Sequence, residues 1–563
     1  MSSSVDSPRG PLRLSIMDWI TNYIKFEGDS PTLQLIGEWG YKAYAKRDLI
    51  LMHTHLILAA LFPIYIGSHA SLRRPPSAEI PSKSKMGDEE DDEIQVEPVM
   101  EGLRLSDAIL FPITASATLA GLYFLIKWLN DPALLNKILG YYFSLLGVFG
   151  VGKLAADGLN VATTFVFPSV WSSRSATYYV DPVLSQQVTG QVKTAKTQLH
   201  RKFTDKTNPL PGILSSISFP KSITTLLWAL RALLKNHWIF RGYLHGIFNY
   251  KTKLQLNDVT GFIIGIVAIV LYNTNGKEWW LTNVIGFGLC YGTLQLLSPT
   301  SFWIGSMLMS GLFVYDIVMV FYTPLMVTVA TTIDGPIKLV FPGPARGSML
   351  GLGDIVLPGI VMALALRFDL YLHYLSKQTK SVSANSTSVM RAAYVEASGK
   401  WGERFWTQGA KNAEMETVAD RARFPKIYFK ASMAGYVLGM VATLAGLHIY
   451  RHAQPALLYL VPCVLTSLWG TAFMRSELGL MWGYTEDGSL VEAQGKEREK
   501  GGSESSNDSG TTITPVRIEA EKKAAKCKGS NQHAEHVFLF SLSAPKQQAV
   551  IPKEAKLFDD TGN

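Results

Sequence analysis

GLFVYDIVMVF, residues 311–321, and MLGLGDIVLPGIVMALAL, residues 349–366, decide how this chain is read. Each is apolar enough to lie in lipid. Each carries one carboxylate, Asp316 or Asp354, with no basic residue in its middle. A charge at membrane depth costs about 2.5–3.5 kcal/mol on insertion scales, so such acids are kept for chemistry, proton relay or ion binding. Two of them on adjacent helices suggest a carboxyl dyad, an arrangement that activates water.

Working outward, the chain has 563 residues, 47% of them hydrophobic. The apolar residues fall in blocks of roughly the 17–25 residues that span hydrocarbon. The class is therefore an all-α polytopic membrane protein. Nine spans can be drawn, at about 49–67, 109–129, 138–156, 258–273, 280–297, 302–322, 349–366, 427–448 and 455–474. The fourth is short, and the third carries Lys153 near its end. The polar connections are uneven. Residues 68–108 contain the acidic run Gly87 to Glu93, 157–257 are long and basic, and 367–426 are rich in Ser, Thr, Lys and Arg. The tail, 485–563, has the composition of a disordered segment. Residues 1–48 contain no cleavable signal peptide; within them Arg13 to Glu27 has helical character and could lie on a membrane surface or form a loosely packed terminal helix.

The net charge of +8 resides mostly in loops and tail, which reads as a topology signal and not as nucleic-acid binding. With nine spans, the long segments and the C-terminus share one side. That side carries Arg73, Arg74, Arg367, Arg421, Arg423, Lys426 and Arg475, whereas the short loops opposite carry Lys137, Lys277, Lys338, Arg346 and Arg451. The positive-inside rule makes the richer side cytosolic and the N-terminus luminal, although Lys42, Lys46 and Arg47 argue the other way. Cys290, Cys463 and Cys527 offer neither a disulfide framework nor a CxxC zinc pattern. His448 and His452 stand four residues apart without a third ligand, so no metal and no other cofactor is expected.

Asp316 lies about six residues before its span ends and Asp354 about five after the next begins. At 1.5 Å per residue both sit roughly 8–9 Å from the same face. Held close, the two could not both ionise and would share a proton. One would then take a proton from water while the other hydrogen-bonds a scissile carbonyl. The alternatives are an Asp that caps a broken helix, a cation or proton pathway, or a catalytically silent scaffold. Gly351 and Gly353 before Asp354 could admit water and an unwound substrate, or simply allow close helix packing. The ninth span opens with Gln454, Pro455, Ala456 and Leu457 on the aspartates' side. A proline there could leave backbone free for a bound peptide, or could be an ordinary first-turn proline.

YD at 315–316, GLGD at 351–354 and QPAL at 454–457 resemble the three motifs of the GxGD intramembrane aspartyl proteases. PIKLVFP (336–342), MLGLGDIVLPGI (349–360) and HAQPALLYLVP (452–462) are similar to the signal peptide peptidase family in particular. Presenilins share the dyad but resemble the chain less around it. The resemblance covers most of the nine spans and fades in the insertions and tail. It implies a nine-helix presenilin-like fold with a protease domain over 49–475, interrupted at 157–257 and 367–426. It implies catalytic roles for Asp316 and Asp354, and substrate-positioning roles for Tyr315, Gly351, Leu352, Gly353, Gln454, Pro455, Ala456 and Leu457. It further implies an endoplasmic reticulum membrane location and cleavage of membrane-embedded signal peptides and type II membrane segments. A homo-oligomer and ER-degradation machinery are the partners it leaves open. The chain ends in DDTGN and not in a dilysine signal, and its sequons, Asn385 and Asn507, fall on the expected cytosolic side.

Overall fold

The computed structural model of the chain describes residues 47–79, 101–129, 132–173, 177–193, 198–203, 206–244, 248–333, 335–342, 348–383, 386–395, 397–407, 423–450, 454–486 and 538–543. Nine long helices make up the bundle: α1 (Arg47–Ala70), α2 (Leu105–Leu129), α3 (Pro132–Val166), α4 (Leu256–Thr274), α5 (Trp279–Leu296), α6 (Phe302–Ile317), α7 (Gly353–Ser376), α8 (Ile427–Tyr450) and α9 (Leu457–Met474). A π-helical turn, Val318–Tyr322, continues α6. Among the described residues, eight helices are long and apolar enough to cross a membrane, and α5 is the other member of the nine. Its hydropathy is diluted by Asn283 and Gln295, and half of its residues are buried inside the protein. A polar side chain that faces the bundle interior and finds a partner is tolerated there. Asn283 does so, donating to the Val340 carbonyl at 2.9 Å and accepting from the Val340 N–H at 2.7 Å.

The ends of two spans differ from the sequence expectation because charged residues were read as span limits. α3 runs to Val166 instead of 156. Lys153 pairs with Asp157 at 3.0 Å, and Asp157 accepts from the Tyr291 hydroxyl at 2.6 Å, so neither charge stops the helix. α7 is displaced toward the C-terminus, covering 353–376 instead of 349–366. Its expected first residues instead form the strand Ser348–Gly351, antiparallel to Lys338–Phe341. At the other end Arg367 and Asp369 are buried, each with partners. Asp369 accepts from the N–H groups of Ile427 and Tyr428, both at 3.1 Å, and of Phe429 at 2.9 Å, satisfying the orphan donors at the start of α8.

α7 is the core helix. One side packs Met362, Leu366 and Leu370 against α1, α8 and α9. The other packs Val361, Leu364 and Phe368 against α6 and α9. Glycines let neighbouring backbones meet at the periphery. A Cβ on Gly265 of α4 would lie 2.4 Å from the Val148 carbonyl of α3, and one on Gly288 of α5 would lie 2.5 Å from the Val151 nitrogen. Close approach through small residues is how helices associate without a hydrophobic drive in lipid.

The connections hold more structure than their polar composition suggests. The first insertion contains a four-stranded antiparallel sheet (170–203), a 3-10 turn (Gly212–Ser216), a helix (Lys221–Lys235) and a hairpin (Trp238–Leu244 with Phe248–Leu254). The second insertion's helix Trp401–Thr407 docks on the end of α3, where a Cβ on Gly402 would meet Thr164 backbone at 2.2 Å. The tail expected to be disordered from 485 departs from that reading in two places. Phe538–Ser543 pairs antiparallel with Trp238–Leu244, and Thr485 and Glu486 are held in the bundle. The rest of that tail, both sequons, and the Arg13–Glu27 segment lie outside the described residues.

Candidate active site

α6 brings Asp316 to its C-terminal end, where the helix loosens into the π turn, and buries it to 4% exposure. The hairpin that precedes α7 sets the depth of the second carboxyl. Gly351 ends the strand, Leu352 caps the helix, and Asp354 falls in its first turn. The position of Asp354 is thus set by a strand as well as a helix, where the sequence expectation counts helical residues alone. α6 and α7 pack against each other, and both pack against α9.

The ninth helix completes the site. Pro455 is buried, Ala456 is the N-cap residue, and Leu457 is the first helical residue. The Leu457 N–H donates to Asp316 Oδ2 at 3.1 Å. First-turn N–H groups have no partner within their own helix, and they carry the positive end of the helix dipole. The motif therefore touches a carboxylate directly, a contact the sequence reading did not contain. The Pro455 carbonyl accepts from the Leu458 N–H at 3.3 Å.

The two glycines differ in their surroundings from those of α4 and α5. A Cβ on Gly351 would meet only Asp354, 3.4 Å from Oδ2, and one on Gly353 would meet only Leu357 at 4.0 Å. Among the described residues neither meets a neighbouring helix, in contrast to Gly265 and Gly288. Leu352 turns to the protein instead, since a Cβ on Gly286 of α5 would lie 3.2 Å from its Cδ2. Tyr315 lines a groove of about 370 Å³ together with Phe111, Thr118 and Leu122 of α2. Gln454 begins the coil leading into α9.

Sequence reasoning missed two supports. Tyr436 of α8, fully buried, donates its hydroxyl to the Asp354 carbonyl at 3.3 Å. Asn283 holds the outer edge of the hairpin that carries Asp354, as described above. Neither has a motif around it; a polar residue isolated in an apolar run was the available signal, and for Asn283 it was present. Among the described residues, no three His, Cys, Asp or Glu side chains gather into a metal site.

Comparison with known proteins finds similarity to intramembrane proteases. A family model described as signal peptide peptidase matches residues 95–488. The chain is 28% identical over 446 residues to signal peptide peptidase of Mus musculus, covering 78% of this chain and 84% of that one. It is 34% identical over 246 residues to a probable intramembrane protease of Schizosaccharomyces pombe, covering 43% of this chain and 68% of the relative. A probable intramembrane protease of Saccharomyces cerevisiae is 26% identical over 408 residues, covering 68% and 60% respectively.

Proposed function

This chain belongs to the signal peptide peptidase family of intramembrane proteases, and from that premise we propose that Asp316 and Asp354 are its catalytic carboxyls. The observation that carries the reading is convergence: α6 and α7 pack against each other and against α9, and the Leu457 N–H of the third motif donates to Asp316 of the first. An N–H donor serves an ionised oxygen, which assigns the general-base role to Asp316. Asp354, protonated, then hydrogen-bonds the scissile carbonyl. Water between them loses a proton to Asp316 as its oxygen attacks the carbonyl carbon. The tetrahedral intermediate collapses as a proton reaches the departing nitrogen, and no covalent intermediate with the enzyme forms.

A helical peptide bond is both hydrogen-bonded and shielded, so the substrate must unwind. The strand Ser348–Gly351 leads directly into Asp354, and it pairs on one side with Lys338–Phe341. Its other side is free of further strands among the described residues, and Met349 there is 62% exposed. An extended substrate segment adding to that edge would have its backbone groups satisfied and its amide beside the dyad. The substrates this fits are membrane-embedded signal peptides and type II membrane segments that are weakly helical. The location is the endoplasmic reticulum membrane, with the N-terminus luminal. Modification of a glycosylation acceptor placed near residue 10, with none at Asn385, supports that orientation, and the reverse pattern overturns it.

The decisive assay is purified protein with a signal-peptide substrate, wild type beside Asp316→Asn and Asp354→Asn. Both variants keep side-chain size and should remain folded while cleavage falls below detection, at about tenfold for each 1.36 kcal/mol of lost barrier lowering. Near-normal cleavage by either folded variant would sink the assignment. Ion flux that depends on the aspartates, with no peptide cut, would favour a transport pathway.

A further inference from the structure

The helix Lys221–Lys235 in the first insertion is built with its polarity reversed for a protein in water. Its inward face holds Arg231, 4% exposed, and Lys235. The Arg231 guanidinium stands 5.6 Å from the Trp228 ring and interacts with the charges of Glu403 and Asp181. Lys235 Nζ donates to Ser169 Oγ at 2.8 Å, and the Ser169 N–H donates to Glu403 at 3.2 Å. The outward face presents Ile223, Leu226, Leu230 and Leu233, each 42–67% exposed. Those four follow helical spacing and form one stripe.

The adjoining turn repeats the pattern. Asn208 Nδ2 donates inward to the carbonyls of Leu214 and Ile217 at 2.9 and 2.7 Å. Lys206 donates to Ser215 at 2.9 Å while its ammonium sits 4.0 Å from the Tyr178 ring centroid. Meanwhile Ile213 is 89% exposed, with Leu214 and Ile217 beside it at 49% and 44%. Single exposed apolar residues are ordinary, but a continuous apolar stripe over a buried basic interior marks a binding face.

What covers that face follows from its level in the bundle. α4 has only 19 residues, about 28 Å, so nearly all of it is needed to cross roughly 30 Å of hydrocarbon. Its first turn therefore lies at the membrane edge. There Asn257 donates to Asn160 and Thr163 of α3 at 2.7 and 3.1 Å, which puts the end of α3 at the same level. Ser169, the partner of Lys235, follows three residues after Val166, and Lys221–Lys235 also packs against α4. The stripe thus continues the lipid-facing surface of the spans, where α4 exposes Phe262, Ile263 and Val267.

We propose that Lys221–Lys235, with the turn Gly212–Ser216, is an interfacial anchor lying in the bilayer leaflet where α3 ends and α4 begins, its Leu and Ile side chains among the upper acyl chains. The role of the first insertion is then to fix the height of the α3–α4 connection in the membrane, independently of the proteolytic chemistry.

The test uses full-length protein with Cys463→Ser and Cys527→Ser, reconstituted in vesicles of phosphatidylcholine with a minor fraction of phosphatidylserine. An environment-sensitive fluorophore is attached at Leu226→Cys or Ile213→Cys, and at Val267→Cys as the lipid-facing reference. The anchor requires stronger quenching of Leu226 and Ile213 labels by a nitroxide high on the lipid chain than by aqueous iodide. It also requires a shallower position than Val267, read from a second nitroxide deeper in the chain. Iodide quenching that exceeds lipid quenching overturns the proposal. So does protection from both quenchers, which would mean that a second copy or another protein covers the stripe. Leu226→Glu with Leu233→Glu should raise the iodide quenching of the Ile213 label, and an unchanged value would also count against the anchor.

Discussion

Replacing Glu486 with leucine should destabilise the bundle severely, although Glu486 lies past the last helix. Its carboxylate is 2% exposed and forms an ion pair with Arg367 of α7, itself 3% exposed. It also pairs with Arg73 at 2.6 Å and accepts from Ser298 Oγ at 2.7 Å. One carboxylate thus ties together the segments that follow α1, α5 and α9 and the body of α7. Removing one partner of a buried pair costs about 3–5 kcal/mol, because the other charge stays buried and uncompensated. Arg73 is one-third exposed and can turn to water, so most of that cost belongs to Arg367. The compensated variant Glu486→Leu with Arg367→Met should recover stability to within about 1 kcal/mol, since apolar replacements of buried pairs are often neutral. Unfolding of the purified protein by titration with sodium dodecyl sulfate, followed by tryptophan fluorescence, reads both variants. Asp354 lies 13 residues before Arg367, about 20 Å along α7, so turnover per folded molecule should change little. A single variant as stable as wild type, or a double variant as weak as the single, would refute the reasoning.

Pro455→Leu should sharply reduce cleavage without changing membrane insertion, because it alters the chain path that aims the Leu457 N–H at Asp316; full activity would mean the proline only starts a helix. Asn283→Leu orphans both the N–H and the carbonyl of Val340, at about 1–3 kcal/mol each. Activity should fall by at least tenfold through a misplaced hairpin, while Asn283→Asp, which keeps the acceptor for the Val340 N–H, should retain more. Equal losses in the two variants would deny the hairpin clamp.

The nine helices and the two acids in their apolar runs were legible because lipid imposes a strong local rule: an apolar run of sufficient length, and a conspicuous acid within it. The three motifs were likewise local, and the first and third meet through the Leu457 N–H on Asp316. What escaped were features whose partners are remote. Asp369 reads as the polar edge of a loop until the start of α8, about 58 residues on, supplies its donors. Arg367 looks like a cytosolic flank until Glu486 returns to meet it. Lys153 looks like a span terminator until Asp157 and Tyr291 are placed around it. The hairpin strand Ser348–Gly351 was absorbed into a span because SMLG is as compatible with a helix as with a strand, and only pairing with Lys338–Phe341 decides it.

The same cause explains why the glycines could not be sorted from sequence. GLGD and the glycines of α3, α4 and α5 are alike as local text, yet Gly265 and Gly288 admit a neighbouring backbone while, among the described residues, Gly351 meets only Asp354 and Gly353 only Leu357. Where backbones meet, an added Cβ must push two helices apart, so Gly265→Val acts on assembly. Beside Asp354, an added Cβ meets only the carboxyl itself, so Gly351→Ala acts on what the dyad can accommodate. Among the described residues, the small residue before Asp354 thus has no helix to hold, and its size bears on the carboxyl alone.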